Sequence, residues 1–181
     1  MTKIFQGINP GEVKNICCIG AGPIGAGGSA YFLARGYNVT TYLHESREEA
    51  SLRSLIDTAW ISLEQLGLAV DASVDNLRCT TDVGKAAGTA DFVQESAPED
   101  MQLKQDLYKK LGRIVPDNIV IASSTSGLPM TEIQTQCSTP ERTVVGHPFN
   151  PPYLLPLVEI VGGDATDPGA IQWLADFYKV A

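Results

Sequence analysis

Lys14-Asn15-Ile16-Cys17-Cys18-Ile19-Gly20-Ala21-Gly22-Pro23-Ile24-Gly25 decides the fold of this chain. An apolar run typical of a buried strand leads directly into a glycine-rich turn, and a helix-length segment follows. In such a turn the first glycine allows the tight bend, the second lets a pyrophosphate approach the backbone, and the third lets the helix pack on the strand. The stretch therefore predicts a dinucleotide-binding turn, with Gly20, Ala21, Gly22, Pro23, Ile24 and Gly25 at the phosphates.

Outward from this turn, short apolar runs alternate with helix-length amphipathic segments. Strands are predicted at 14–19, 38–43, 76–79, 91–95 and 118–122, and helices at 23–35, 47–66, 101–114 and 168–181. This alternation predicts an α/β fold, a Rossmann-like doubly wound and mostly parallel sheet with helices on both faces.

Two further strands are predicted close to the end of the chain, at 142–146 and 157–161. Only a proline-rich loop separates them, and that loop is too short for the helical crossover that a parallel connection needs. We therefore expect a closing strand pair that is antiparallel or otherwise departs from the alternating plan.

Composition limits the classes of partner. The chain has 181 residues, the length of one ordinary domain, with 44% hydrophobic and 19% charged residues. Its 13 Lys and Arg against 21 Asp and Glu provide no basic surface for nucleic acid or an anionic membrane. Met1 to Pro10 lacks a signal-peptide core, and no apolar run reaches the roughly 20 residues of a membrane span. We expect a cytoplasmic protein.

The four cysteines do not follow the spacing of a metal site or a disulfide framework. Cys17 and Cys18 are adjacent within a predicted strand, and neither Cys79 nor Cys137 has a partner two or three residues away. We expect reduced thiols that pack as small hydrophobic groups, and no metal.

The end of the second predicted strand bears on which dinucleotide binds. A Rossmann site has an acidic residue there for the adenosine ribose, but Leu43 stands near that position, with Glu45 slightly beyond. Glu45 accepting ribose hydroxyls favours NAD, whereas Arg47 could meet the additional phosphate of NADP. We predict NAD and expect His44 to be a surface residue.

The closing strand pair carries a candidate base and acid. His147 begins the loop His147-Pro148-Phe149-Asn150-Pro151-Pro152, and Glu159 follows on the next predicted strand. The chain can fold back so that the carboxylate orients the imidazole, which is the arrangement that general acid–base catalysis requires.

Four motifs now identify a family resemblance: Gly20 to Gly25, Gln94-Glu95-Ser96-Ala97-Pro98-Glu99, Ser123-Ser124-Thr125-Ser126-Gly127-Leu128, and His147 to Pro151 through Leu157-Val158-Glu159-Ile160-Val161. In this order they resemble the NAD-binding domain of the 3-hydroxyacyl-CoA dehydrogenase superfamily. The residues of these motifs are most similar to those of one branch of the superfamily, that of L-carnitine dehydrogenase and lambda-crystallin (L-gulonate 3-dehydrogenase).

The resemblance implies roles for individual residues. His147 would be the general base, Glu159 its orienting carboxylate, and Ser126 the hydroxyl that hydrogen-bonds the substrate oxygen. Glu99 and Lys104 match positions that contact the cofactor, although Lys104 could instead be an ordinary solvated helix charge. Asn150 is either a substrate contact or an amide that stabilises the loop.

The implied activity is NAD-dependent oxidation of the 3-hydroxyl of a small L-3-hydroxy acid, carnitine-like or gulonate-like. The acyl-CoA members hold CoA phosphates with basic residues after the second strand, yet no Lys or Arg occurs between Arg53 and Arg78. A CoA thioester is therefore the less favoured substrate. A non-catalytic dinucleotide-binding domain with a structural or sensing role is a third alternative.

The resemblance also implies more protein than is present here. The family continues into a helical domain that supplies a further active-site Asn and most of a homodimer contact, and nothing in 1–181 corresponds to it. We expect these residues to be one domain of a protein of about 300 residues or more. We further expect the predicted helix 168–181 to present an open apolar face.

Overall fold

The structure, a computed structural model, describes residues 5–181. Its strands are β1 (Asn15–Ile19), β2 (Asn38–Tyr42), β3 (Leu77–Thr80), β4 (Phe92–Glu95), β5 (Ile121–Ser123), β6 (Thr143–Pro148) and β7 (Val158–Gly162). Its α-helices are α1 (Pro23–Ala34), α2 (Glu48–Leu66), α3 (Val83–Ala87), α4 (Met101–Ile114), α5 (Met130–Ile133) and α6 (Pro168–Val180).

All seven strands form one sheet in the order β3-β2-β1-β4-β5-β6-β7. The pairings from β3 to β6 are parallel, and β7 pairs with β6 in antiparallel orientation. The strand order reverses between β1 and β4, which is where a doubly wound sheet opens a crevice at the carboxyl ends of its strands. The predicted Rossmann-like sheet and its divergent closing pair are both confirmed.

Helices cover both faces of the sheet, and a separate hydrophobic cluster lies between the sheet and the helices on each face. The cluster with α1, α2 and α6 contains Ile16 and Cys18, whereas the cluster with α3, α4 and α5 contains Cys17 and Ile19. Successive β1 residues alternate between the clusters because side chains along a strand point to opposite faces. The four cysteines are free thiols, and three of them are buried, as predicted for packing groups.

Helix α6 corrects one expectation. We expected an open apolar face on this helix, but Trp173, Leu174 and Phe177 are buried in the core. The rings of Phe92 and Phe177 lie 4.5 Å apart, so β4 already covers this face. The sequence pattern identified an apolar side correctly but could not show that this sheet packs against it.

The sequence missed the short helices α3 and α5, because four or five residues are too few for a periodic pattern. Asp82 begins α3 by accepting hydrogen bonds from the amides of Gly84 and Lys85. Strand β5 is also shorter than predicted: a turn in which the amide of Ile119 donates to the carbonyl of Pro116 takes up the start of that run.

Within residues 5–181 no helix is long and apolar enough to cross a membrane. In the same range, no three His, Cys, Asp or Glu side chains converge on a common point as metal ligands would. The prediction that Met1 to Pro10 contains no signal-peptide core concerns a segment whose first four residues lie outside the described part of the chain.

Candidate cofactor and catalytic site

The turn between β1 and α1 requires two of its glycines for steric reasons. Gly20 has a φ of 105°, and its amide donates to the carbonyl of Tyr42. A Cβ on Gly20 would lie 2.5 Å from the carbonyl oxygen of Ser96. A Cβ on Gly25 would collide with the carbonyl of Gly20. Both residues let the backbone of the turn close onto its neighbours.

Gly22 differs, because nothing lies within 4 Å of the place where its Cβ would be. Its backbone is extended, with φ −71° and ψ 178°, and it caps α1, which begins at Pro23. The open space lies in front of a helix N-terminus, whose free amides favour an anion. The turn therefore fits the pyrophosphate of NAD.

The end of β2 contributes no carboxylate from the strand itself. Leu43 is buried in the core, and its amide still donates to the carbonyl of Thr80. Beyond it the chain turns outward, and His44 is exposed as predicted. Arg47 Nε lies 2.5 Å from Glu45 Oε2, so these two exposed side chains pair with each other.

Ser126 lies in an exposed loop after β5, and Glu99 holds that loop. One oxygen of Glu99 accepts hydrogen bonds from Thr125 Oγ1 at 2.5 Å and from the amides of Ser126 and Gly127 at 3.2 Å. Partial burial acts to raise the pKa of Glu99. The bonds from Thr125 and the two amides, together with the charge of Lys104, outweigh it and lower the pKa below its ordinary value.

Lys104 is buried, so the alternative of a solvated helix charge is wrong. Its side chain is 1% exposed, and Nζ donates to Glu95 Oε1 at 2.6 Å and to the carbonyl of Ala97 at 3.2 Å. Glu95 is equally buried and also accepts from Ser123 Oγ at 2.6 Å. No role was predicted for Glu95, although an acidic residue at the end of an apolar strand is a signal of one.

His147 and Glu159 meet as the spacing suggested. His147 is the penultimate residue of β6, Glu159 lies on β7, and Nδ1 of the imidazole is 2.9 Å from Oε2 of the carboxylate. The histidine side chain is 25% exposed and the glutamate 59% exposed, so the pair can reach a bound molecule. Asn150 is exposed near the start of the following loop, joined to Pro151 by a cis peptide bond.

Gln94, for which no role was predicted, connects the strands that carry these groups. Its Nε2 donates to Ser124 Oγ at 2.8 Å and to the carbonyl of Gly146 at 3.1 Å. Its Oε1 accepts from the hydroxyl of Tyr178 at 2.5 Å. A buried amide with all of these partners fixes the spacing between β4, β5 and β6 beneath the site.

A cleft of about 360 Å³ opens beside this network. It begins at Ile24 of the turn, and Ser96 and Ser124 line its polar part, whereas Pro152 and Leu157 belong to its apolar wall. A polar cleft of about 280 Å³ lies at the amino ends of the strands and contains none of the predicted site residues. Of the predicted site residues, Ile24 is the one that lines the first cleft. The turn, Ser126 and His147 lie at or just beyond the carboxyl ends of β1, β5 and β6, which share one edge of the sheet.

A family model described as 3-hydroxyacyl-CoA dehydrogenase, NAD binding domain, matches residues 15–181. The chain belongs to this family. L-carnitine dehydrogenase from Streptomyces griseus subsp. griseus is 54% identical over 172 residues, which are 95% of this chain and 51% of that protein. L-carnitine dehydrogenase from Streptomyces coelicolor is 52% identical over 96% of this chain and 54% of its own length.

Solved structures agree with this assignment. FHMPC 5-dehydrogenase, an NAD+-dependent dismutase, superposes with a TM-score of 0.85 at 32% identity, over 93% of this chain and 55% of that chain. 3-Hydroxybutyryl-CoA dehydrogenase from Escherichia coli gives 0.85 at 26% identity, over 93% and 36%. The predicted family and NAD-binding domain are confirmed, whereas the likeness to lambda-crystallin stays a prediction.

Proposed function

We propose that this chain is the NAD-binding and catalytic-base domain of a dehydrogenase that oxidises the 3-hydroxyl of a small L-3-hydroxy acid, of which carnitine is the type we favour. The observation that carries the proposal is the hydrogen bond between His147 and Glu159 at the carboxyl edge of an NAD-binding sheet. A base oriented by an acid belongs beside a hydride acceptor in an alcohol dehydrogenase.

The residues of the turn fit the cofactor that the family binds. Gly22 leaves room at the N-terminus of α1 for the pyrophosphate, and Glu45 follows β2 on the side of the adenosine ribose. When bound there, NAD supplies the acceptor for the hydride that leaves the substrate carbon. Glu99 and Lys104 were predicted to contact it, and in our proposal Glu99, the more exposed of the two, makes that contact.

His147 takes the proton of the substrate hydroxyl in this mechanism. Because Nδ1 faces Glu159, Nε2 is the nitrogen that can accept the proton. The imidazolium that forms is then stabilised by the carboxylate at 2.9 Å. Ser126 donates its hydroxyl hydrogen bond to the substrate oxygen, and Asn150 contacts the substrate or holds the loop.

Two observations support a small hydroxy acid over a CoA thioester. The relatives named L-carnitine dehydrogenase are about half identical to this chain along nearly its whole length. The segment between Arg53 and Arg78 also contains no Lys or Arg that could bind CoA phosphates. Gulonate and CoA thioesters are the competing substrates to test.

The chain spans about half the length of the curated relatives it matches. Leu154, Leu155 and Leu157 are between 43% and 55% exposed in the loop that follows His147. We propose that the remainder of the full-length protein covers this side, completes the substrate pocket and forms a homodimer. The 181 residues alone are then expected to bind NAD but to turn over slowly.

The test follows NADH absorbance with the full-length protein and the 181-residue chain on L-carnitine, L-gulonate, 3-hydroxybutyrate and 3-hydroxybutyryl-CoA. His147→Ala is the inactive control, and NAD binding is measured in parallel. Oxidation of L-carnitine or another free acid by the full-length protein supports the proposal. Activity confined to the thioester would refute the substrate class, and NAD binding without turnover of any substrate would favour a non-catalytic domain.

A further inference from the structure

A buried carboxylate at the end of β4 connects three parts of the site. Oε1 of Glu95 accepts from the amide of Ala97 and from Lys104 Nζ, both at 2.6 Å, and Oε2 accepts from Ser123 Oγ at 2.6 Å. These donors belong to the loop after β4, to α4 and to the end of β5. Glu95 therefore ties together the elements from which the Glu99 and Ser126 loops begin.

Lys104 extends this connection to a second carboxylate. Its Nζ lies 3.7 Å from Glu99 Oε2, so the ammonium stands between Glu95 and Glu99. Removing two charges from water is costly, and a buried ion pair is often no more stable than apolar residues of similar volume. A role in stability alone is therefore a weak explanation for this arrangement.

Glu99 connects Lys104 to the Ser126 loop, because each of its two carboxylate oxygens has different partners. Oε2 faces Lys104, whereas Oε1 accepts from Thr125 Oγ1 and from the amides of Ser126 and Gly127. Thr125 Oγ1 also accepts from the amide of Leu128, which closes the loop. A displacement of the Glu99 carboxylate would consequently displace the backbone that presents Ser126.

We propose that Glu95 and Lys104 are positioning residues that set the place of Ser126 through Glu99. The proposal rests on the role of Ser126 in the proposed function, but the structural half of it can be measured without any substrate. Lys104 acts here from inside the protein on the loop, and Glu95 holds Lys104 in place.

The experiment measures amide hydrogen exchange of residues 124–128 in the 181-residue chain and steady-state kinetics in the full-length protein. Lys104→Met removes the ammonium but keeps most of the stem, and Lys110→Met, on an exposed position of the same helix, is the matched control. The double variant Glu95→Gln/Lys104→Met avoids an uncompensated buried charge, so it remains informative if Lys104→Met fails to fold.

We expect exchange at Ser126 and Gly127 to accelerate about tenfold or more in Lys104→Met and in the double variant, as for loss of a charge-assisted hydrogen bond. Lys110→Met should match the wild type. In the double variant the melting temperature should recover toward that of the wild type while exchange stays fast, which a merely structural role would not produce.

In the full-length enzyme, kcat should fall and the KM for the hydroxy acid should rise. NAD affinity should weaken as well, because the displaced Glu99 is the residue proposed to contact the cofactor. Unchanged exchange at Ser126 and Gly127 in the folded variants would overturn the proposal. If the wild-type enzyme oxidises no 3-hydroxy acid, the proposed function fails, and the exchange data still decide whether Glu95 and Lys104 position the loop.

Discussion

His147 and Glu159 are directly opposite each other in the antiparallel register of β6 and β7. Opposite side chains in such a pair lie on the same face of the sheet with their Cβ atoms about 5 Å apart. The register therefore builds the 2.9 Å contact between imidazole and carboxylate into the sheet, independently of the loop between the strands.

The first prediction concerns that contact. Glu159→Gln keeps the shape of the side chain but removes the charge that stabilises the imidazolium. We expect kcat of the full-length enzyme to fall about 10²-fold or more, while NAD affinity is unchanged. Glu64→Gln, on an exposed position of α2, is the control and should retain full activity. An active Glu159→Gln enzyme would rule out the proposed role of the carboxylate.

Substitutions at two glycines of the turn should distinguish an effect on NAD binding from an effect on folding. Gly22→Ala places a methyl group in open space, so we expect an unchanged melting temperature and an NAD affinity at least about tenfold weaker. Gly25→Ala forces a methyl group against the carbonyl of Gly20, so both quantities should fall. Calorimetric titration and thermal melts measure the two effects. Normal NAD binding by Gly22→Ala would show that the pyrophosphate lies elsewhere.

Cofactor choice should depend on the pairing of Glu45 with Arg47. Glu45→Gln releases the guanidinium, which can then meet the 2′-phosphate of NADP. We expect NADP affinity to rise about tenfold and NAD affinity to fall, because a glutamine amide is a weaker acceptor for the ribose hydroxyls than the carboxylate of Glu45. Glu48→Gln removes an equal charge close by, at the first residue of α2, without freeing Arg47. If both variants gain NADP affinity equally, net charge and not the ion pair controls the choice.

Arg142 should be a determinant of stability. The residue is buried, and its guanidinium donates to the carbonyls of Val115, Pro116 and Ile119 after α4. Burial lowers the pKa of Arg142. Arg142→Met leaves these carbonyls without their donor, so the free energy of unfolding should fall by about 3 kcal/mol. Denaturant titration measures the loss, and the exposed Arg113→Met on α4 should show almost none.

The Ser126 loop should also respond to acid. Because the pKa of Glu99 is lowered in the folded protein, the contribution of Glu99 is present above the ordinary glutamate pKa and is lost as the pH falls through the lowered value. The amide shifts of Ser126 and Gly127 should therefore titrate only in that acidic range. Glu99→Gln has no carboxyl group to titrate at this position, so the same transition in that variant would contradict the assignment to Glu99.

Much of the fold could be predicted from local patterns. The turn from Gly20 to Gly25 and the limits of α4 match the structure, because steric demand at a turn and helical periodicity are properties of neighbouring residues. The antiparallel closing pair also followed from the sequence, since the loop between its strands is too short for a crossover. Short elements such as α3 were missed because they depend on a single capping residue, Asp82.

The sequence by itself determined the family, the NAD-binding turn, and the candidacy of His147, Glu159 and Ser126. Only the tertiary structure decided which side chains hold the loops of the candidate site in place. Glu95 meets Lys104 on the next helix, and contacts between residues 27 or 28 positions apart join Glu95 to Ser123 and Glu99 to Ser126. The strand register and helix packing set those contacts, and a local pattern contains neither.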